Sequence, residues 1–177
     1  MKCIEALNDE HQVLIRILKV LKVIGAKANV DKSFDQEDVT SVVRLLVTFL
    51  DSAHEIKEES ALFPVVIDRA PKEMRDQLKA RLFEHEQERF LIKGLQESMM
   101  AGNPEDLAFD ATRLAELLTE HVRKEYLLFR QFETLLQPGN DQKIVREFEK
   151  LDSGLRPKPK DVSGILEKLE SKYLQAA

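Results

Sequence analysis

The chain has no tryptophan, one cysteine, six glycines and six prolines among its 177 residues. A single thiol, Cys3, excludes an internal disulfide and the small secreted domains framed by them, so a reducing cytoplasm is the expected setting. No apolar run approaches the roughly 20 residues that a membrane-spanning helix needs. The start, Met1-Lys2-Cys3-Ile4-Glu5, lacks the apolar stretch of a secretory signal. Positive charge is also short: 27 Lys and Arg against 32 Asp and Glu leave a net charge of −5, which argues against nucleic acid or an anionic membrane as partner. There is no Gly-rich phosphate loop, no G-x-S-x-G elbow and no cysteine nucleophile beside a histidine. Strand-like alternation is missing throughout.

What remains is helical periodicity in one domain long enough to bury a core. A first helix, about residues 4–28, spaces Ile4, Leu7, His11, Leu14, Leu18 and Leu21 by threes and fours. Gly25 to Ser33 reads as a loop, with Ser33 or Asp35 capping the next helix. That helix, about 36–68, carries Val43, Val47, Leu50, His54, Glu58, Ala61 and Val65, with Pro64 expected to kink or shorten its end. A third, about 72–101, carries Leu78, Leu82, His85, Arg89, Ile92, Leu95 and Met99. After the turn Gly102-Asn103-Pro104, a fourth, about 105–136, carries Leu107, Ala111, Leu114, Leu118, His121, Glu125, Leu128 and Phe132. Pro138-Gly139-Asn140 ends it. A shorter helix at about 141–151, a linker from Ser153 to Lys160 and an amphipathic piece with Val162, Ile165, Leu166, Leu169 and Tyr173 complete the chain.

The pattern predicts an all-α fold: an antiparallel up-down-up-down four-helix bundle over 1–137, with additional short C-terminal helices over 138–177. The extension is expected to pack on the bundle or on a partner, and 160–177 is the segment suited to a protein partner or self-association.

All four histidines lie on helical seams. In an antiparallel bundle, residues equally far from the turn joining their helices sit at one height. His11 and His54 are 20 and 23 residues from the first connection, His54 and His85 are 16 and 15 from the second, and His85 and His121 are both 18 from the third. At ~1.5 Å per residue these mismatches amount to at most about one turn. Glu58 and Glu125 each stand four residues beyond a histidine, on the same helix face. Unpaired in a core, such carboxylates cost several kcal/mol. Imidazole with carboxylate suits iron, manganese or zinc. Six donors in one layer suggest two ions: His11 with His54 on one, His85 with His121 on the other, and Glu58 and Glu125 between them. Glu55 and Glu59 lie just off the stripe, within possible reach of the same centre.

Asp9-Glu10-His11, His54-Glu55-Ile56-Lys57-Glu58-Glu59 running into Leu62-Phe63-Pro64, Glu84-His85-Glu86 with Arg89, and Glu120-His121 through Glu125 resemble the hemerythrin-like HHE cation-binding domain family. The resemblance implies a four-helix bundle around two iron ions joined by an oxo or hydroxo bridge, and ligands such as oxygen, peroxide or nitric oxide. The family's oxygen carriers have a second histidine one turn from the first on the third helix. Here that place is Arg89, or Arg81 in the other direction, and a guanidinium has no lone pair to offer a metal. Glu55 stands where many bacterial relatives have another histidine, and an extra carboxylate favours a harder, more ferric site. Arg89 is a candidate to neutralise a bound anion, to pair with Glu125 or to reach the surface. Tyr126 is a candidate hydrogen-bond or electron donor, or a packing residue, while Phe63 and Phe129 are expected to shield the centre. These features favour a redox-active di-iron protein of oxidative or nitrosative stress or iron homeostasis, possible enzymes being peroxide- or nitric-oxide-directed oxidoreductases. Other readings are a metal- or oxygen-responsive sensor, an oxygen carrier and a structural zinc bundle.

Overall fold

Helix α1 spans Lys2–Asp31, longer than the sequence suggests, because Gly25 does not end it. Gly25 is buried against helix α5, Pro104–Phe132, where a Cβ would meet Ala111 Cβ at 3.0 Å. Its missing side chain serves close helix approach rather than a turn. The break comes instead at Lys32, in the left-handed region with φ 52°, and Asp35 caps the second helix by accepting from the Glu37 and Asp38 amides. The computed structural model describes residues 1–154 and 159–175.

Helix α2, Gln36–Leu45, continues into two π-helical segments, Leu46–Glu55 and Glu58–Leu62, and then into α3, Phe63–Ile67. The wider turn is explicit at its end, where the Phe63 amide donates to the Glu58 carbonyl, five residues back. Pro64 does not break the run. It follows the switch from the wide turn to the ordinary one, where helical hydrogen-bonding is already being exchanged. The wider winding also carries the apolar seam past Val65 to Val66, and Leu46 rather than Val47 is buried.

Helix α4, Lys72–Met100, reaches α5 through Gly102, at φ 63°, and through Asn103, whose Oδ1 accepts from the Glu105 and Asp106 amides. Pro138-Gly139-Asn140 opens a helix rather than closing one: α6 spans Pro138–Gly154, with proline where its missing amide is harmless. Helix α7 spans Pro159–Tyr173, so it begins within the expected linker, of which 155–158 lie outside the described residues. The described residues are helical and contain no strand.

Partners of α1 descend α5 as α1 ascends: Met1 with Glu133, His11 with Glu125, Lys22 with Thr119 and Lys32 with Glu105. Helix α4 packs on α5 and on the 36–67 run, which in turn contacts α1. The core divides into two apolar clusters. One joins Leu14 to Ala28, Val39 to Leu50, Leu91 to Leu95 and Leu107 to Val122, covered by Val162, Leu166 and Leu169 of α7. The other joins Cys3 to Leu7, Ala61 to Val66, Met74 and Leu78, and Leu128 to Phe132, covered by Ile144 and Phe148 of α6. Between them, on every long helix, lies a buried polar layer. Burial also pushes the Cys3 thiol up to about 12, reinforced by its hydrogen bond to Asp141, so the lone cysteine behaves as a small core residue.

Candidate metal centre

The layer contains all four histidines, each at most 2% exposed, together with Glu55, Glu58, Glu88 and Glu125, each fully buried. His11 and His54 meet with ring centroids 4.6 Å apart, His85 and His121 with centroids 5.0 Å apart. Three donor groups have ligand atoms within 4.8 Å of one another: His11–His54–Glu58–Glu125 and Glu58–His85–His121–Glu125 at the centre, and Glu55–Glu59–His85 on the outer side of His85, where Arg89 already holds both carboxylates. Either central group could hold a metal ion, and Glu58 and Glu125 belong to both.

The atoms converge without satisfying each other. His54 Nε2 is 3.3 Å from Glu58 Oε1, His85 Nε2 is 3.4 Å from Glu58 Oε2 and His121 Nε2 is 3.0 Å from Glu125 Oε2. Yet these three ring nitrogens, both Glu58 oxygens and Glu125 Oε1 make no hydrogen bond and are sealed from water. Their lone pairs aim at shared points between side chains rather than at one another. Buried polar atoms left so are rare and costly, and a cation at those points resolves them together.

The far side of three imidazoles explains how their lone pairs come to face inward. His54 Nδ1 lies 2.9 Å from Glu10 Oε2, His85 Nδ1 2.7 Å from Glu59 Oε1 and His121 Nδ1 2.9 Å from Glu84 Oε2. Each of these carboxylates is held by a cation: Glu10 by Lys57, Glu59 by Arg89, and Glu84 by both Lys124 and Arg81. The His85 hydrogen bond, with help from Arg89, pulls Glu59 to about 2. Burial alone would raise Glu84, but hydrogen bonds from His121 and Lys124 bring it to about 2 as well. Ionised carboxylates only accept, so each Nδ1 carries the proton and each Nε2 presents its lone pair to the centre. His11 is the exception, because its Nδ1 has no partner.

Within the layer, burial and the neighbouring Glu125 charge push Glu58 well above the carboxylate range. Burial would raise Glu125 too, but the His121 charge and the hydrogen bond to His11 hold it well below. His121 is raised, since Glu125 and Glu88 outweigh the burial that would lower it. In the absence of a cation these shifts, with His85 raised in the same way by its carboxylate neighbours, favour protons on the imidazoles and on Glu58, which an ion held by either donor group would displace.

Glu55 does not face the two shared points; its Oε2 accepts from Arg89 Nη2 at 2.7 Å and lies 4.0 Å from His85 Nδ1. Arg89 does not pair with Glu125. Its guanidinium is spent on Asp51, Glu55, Glu59 and Glu86, on the outer side of His85. Tyr126, one residue past Glu125, is turned away from the centre and is 51% exposed. Phe63 and Phe129 do cover the site, stacked on His85 at 6.3 Å and on His11 at 5.7 Å. Sequence reasoning missed Glu88, Glu10, Glu84 and Arg81. Helix α4 buries Leu78, Arg81, His85, Glu88, Ile92 and Leu95, at steps of three and four, whereas Leu82 is 37% exposed. The true seam shares that spacing with the expected one, but hydrophobicity favours Leu82 over Arg81.

No helix among the described residues is long and apolar enough to cross a membrane. No significant match is found among curated proteins or solved structures. The sequence profile described as Hemerythrin HHE cation binding domain matches residues 3–132, which include every donor of the buried layer.

Proposed function

The chain belongs to the hemerythrin HHE cation-binding domain family, and we propose that it holds two iron ions in an antiparallel up-down-up-down four-helix bundle and acts on oxygen, peroxide or nitric oxide. The observation that supports this reading is the membership of Glu58 and Glu125 in both donor groups, which would let each carboxylate serve two ions at once. His11 and His54 would complete the ligand set of one ion, and His85 and His121 that of the other. Manganese or zinc suits the same donors less specifically. Bound iron would supply the redox chemistry. The chain's own residues orient the imidazoles through Glu10, Glu59 and Glu84 and exclude water through Phe63 and Phe129. The lone, sealed Cys3 fits a reducing compartment such as the cytoplasm.

Reversible oxygen carriage is disfavoured because α4 has no second histidine, and the arginines in its place are committed to carboxylates. A sensing role is favoured by one contact. Lys57 bridges Glu10, the partner of His54, to Asp152 on α6, at 2.7 Å from Asp152 Oδ1. On this reading, metal loading at His54 would reach the C-terminal extension through these contacts, where a partner would read it.

Metal analysis of the protein purified in air tests the proposal. Two irons per chain with the near-ultraviolet absorption of a bridged ferric pair are expected, whereas stoichiometric zinc without that absorption overturns the redox reading. Turnover of peroxide or nitric oxide by the iron form, compared with an Asp152→Ala variant, separates enzyme from sensor. Activity unaffected by the substitution points to the enzyme.

A further inference from the structure

The two halves of the centre repeat one arrangement with different surroundings. His54, Glu55, Glu58 and Glu59 on one side correspond to His121, Val122, Glu125 and Tyr126 on the other. On the facing helices, His85 and Arg89 correspond to His11 and Ile15. The first half fills the outer side of His85 with two carboxylates and a guanidinium. The second half puts Val122, Tyr126 and Ile15 there instead, and leaves a groove of about 570 Å³ between α1 and α5. His11 lines this groove, and its Nδ1, sealed from solvent beneath the lining side chains, is the one outer imidazole nitrogen in the layer without a partner. Asn8 Oδ1, beside it in the lining, is unpartnered too.

The groove is apolar along Ile15, Leu18, Val122 and Leu127, the last 48% exposed. Its charged lining residues are Lys19, Lys22 and Arg123, with no acid among them, in a chain whose net charge is −5. Among the described residues Lys22 reaches only Thr119 Oγ1, at 3.3 Å, while Lys19 feels the Glu170 charge of α7 and Arg123 is shared with Glu120 outside the groove. From Asn8 to Lys22 the lining runs about 21 Å along α1. An elongated apolar floor with cationic edges matches a molecule with a hydrocarbon tail and one negative charge.

We propose that the groove between α1 and α5 binds a single-chain amphiphilic carboxylate, whose headgroup, entering as the lining side chains part, accepts a hydrogen bond from His11 Nδ1 as Glu59 accepts one from His85 Nδ1. The assignment rests on the reading of His11 as a ligand through Nε2. Filling the groove completes the outer shell of the fourth imidazole and couples the bound carboxylate to the metal on the other side of the ring.

Calorimetric titration of the purified, metal-loaded protein with decanoate at low salt tests this. Saturable binding of one decanoate per chain is expected, at least tenfold tighter than decanol. Lys19→Glu with Lys22→Glu is expected to weaken it at least tenfold. So is Tyr126→Glu, which places an acceptor in the chain as Glu59 does opposite. The absorption of the loaded centre should shift with decanoate in the parent protein and not in Tyr126→Glu. Absence of saturable heat overturns the proposal, as does equal binding of decanol, affinity indifferent to these variants, or a stable dimer occupying the face. A protein that takes up two ions but no decanoate refutes the groove alone. One that binds decanoate with the expected variant effects but takes up no metal supports the groove and refutes the metal reading.

Discussion

Arg89 Nη2 donates to Glu59 Oε1 at 2.8 Å, the same oxygen that lies 2.7 Å from His85 Nδ1. The guanidinium therefore acts on the metal centre through one carboxylate and one ring, without touching the shared points. Burial is outweighed at Arg89 by Asp51, Glu59 and Glu55, so the group stays cationic. Replacing Arg89 with leucine leaves Glu55 and Glu59 without their cation and lets the His85 ring turn. Metal affinity is expected to fall about 10–100-fold, with Arg89→Lys intermediate, since an ammonium has three donors and no planar fork for the four carboxylates that Arg89 holds. Competition against a chelator of known affinity measures it. An Arg89→Leu protein with unchanged affinity would show that Glu59 holds His85 unaided.

The three carboxylates behind the rings make a related prediction with a built-in control. Glu10→Gln, Glu59→Gln and Glu84→Gln keep shape but offer an amide that can turn a donor toward Nδ1. Each should weaken metal binding about 10–100-fold. The fourth ring has no such partner, so no corresponding glutamine substitution exists on the α5 side; Glu120→Gln, at the exposed Arg123 pair, should change affinity less than twofold. Equal losses from all four variants would trace the effect to net charge rather than to ring orientation.

Glu58 gives a prediction whose sign reverses with metal. In the metal-free chain it is a fully buried carboxyl with neither oxygen hydrogen-bonded, beside another buried carboxylate. Replacing such a group with an apolar one of similar size is often stabilising, by about 1–4 kcal/mol. Glu58→Leu should thus raise the melting temperature of the chelated protein. With metal present it should lower the melting temperature and lose at least one ion, because the stabilisation from binding is lost. Melts with and without chelator decide this. The same ordering in both conditions would remove Glu58 from the ligand set.

The four histidines and the two glutamates shared by the central donor groups could be read from sequence because a polar residue on an otherwise apolar stripe is conspicuous. Glu10, Glu59 and Glu84 could not be assigned, although each adjoins a residue of the central donor groups, because each serves the next helix. Glu10 on α1 holds His54, Glu59 holds His85 on α4, and Glu84 on α4 holds His121 on α5. A single helix's periodicity carries no record of such cross-helix pairs. Arg81 and Glu88 were hidden for a different reason. Their burial contradicts their polarity, and only the neighbouring carboxylates and imidazoles make Arg81 and Glu88 acceptable inside. The helix ends went wrong where tertiary contact decides, as at Gly25. The turn at Gly102-Asn103-Pro104 and a cap at Asp35, offered with Ser33 as the alternative, are local and were legible.

Gly25 yields a packing test away from the polar layer. A Cβ there would stand 3.0 Å from Ala111 Cβ, and the Ala108 carbonyl oxygen is only 3.6 Å away. Helix propensity favours Gly25→Ala by roughly 1 kcal/mol, but the contact opposes it, so the two effects nearly cancel. Gly25→Val cannot be absorbed in this way and should destabilise by about 1–3 kcal/mol. Adding Ala111→Gly should restore much of that loss, which denaturant titration of the double variant measures. No restoration would mean that the strain lies elsewhere on α1.

The C-terminal helix should respond to acid. Arg16 donates twice to Glu170, at 2.8 and 2.6 Å, Lys172 pairs with Asp35 and Asp38, and Tyr173 donates to Asp38 at 2.7 Å. The hydrogen bond from Lys172 lowers the Asp35 carboxyl below its usual value, and that from Arg16 does the same for Glu170. A carboxylate lowered in the folded state stabilises it above the unfolded value, about 4, and that contribution is lost as pH falls through the lower folded value. Each pair is exposed enough to matter little alone, and Val162, Leu166 and Leu169 still hold α7 by burial. Acid should therefore loosen α7 before it melts α1, α4 or α5. Hydrogen exchange, corrected for intrinsic rate, is expected to show falling protection confined to 161–173 between about pH 5 and pH 3. Arg16→Leu with Lys172→Leu should reproduce the loosening at neutral pH and abolish its pH dependence. Protection of α7 that stays constant across this range, or that falls together with the whole bundle, would show that its apolar face alone fixes it.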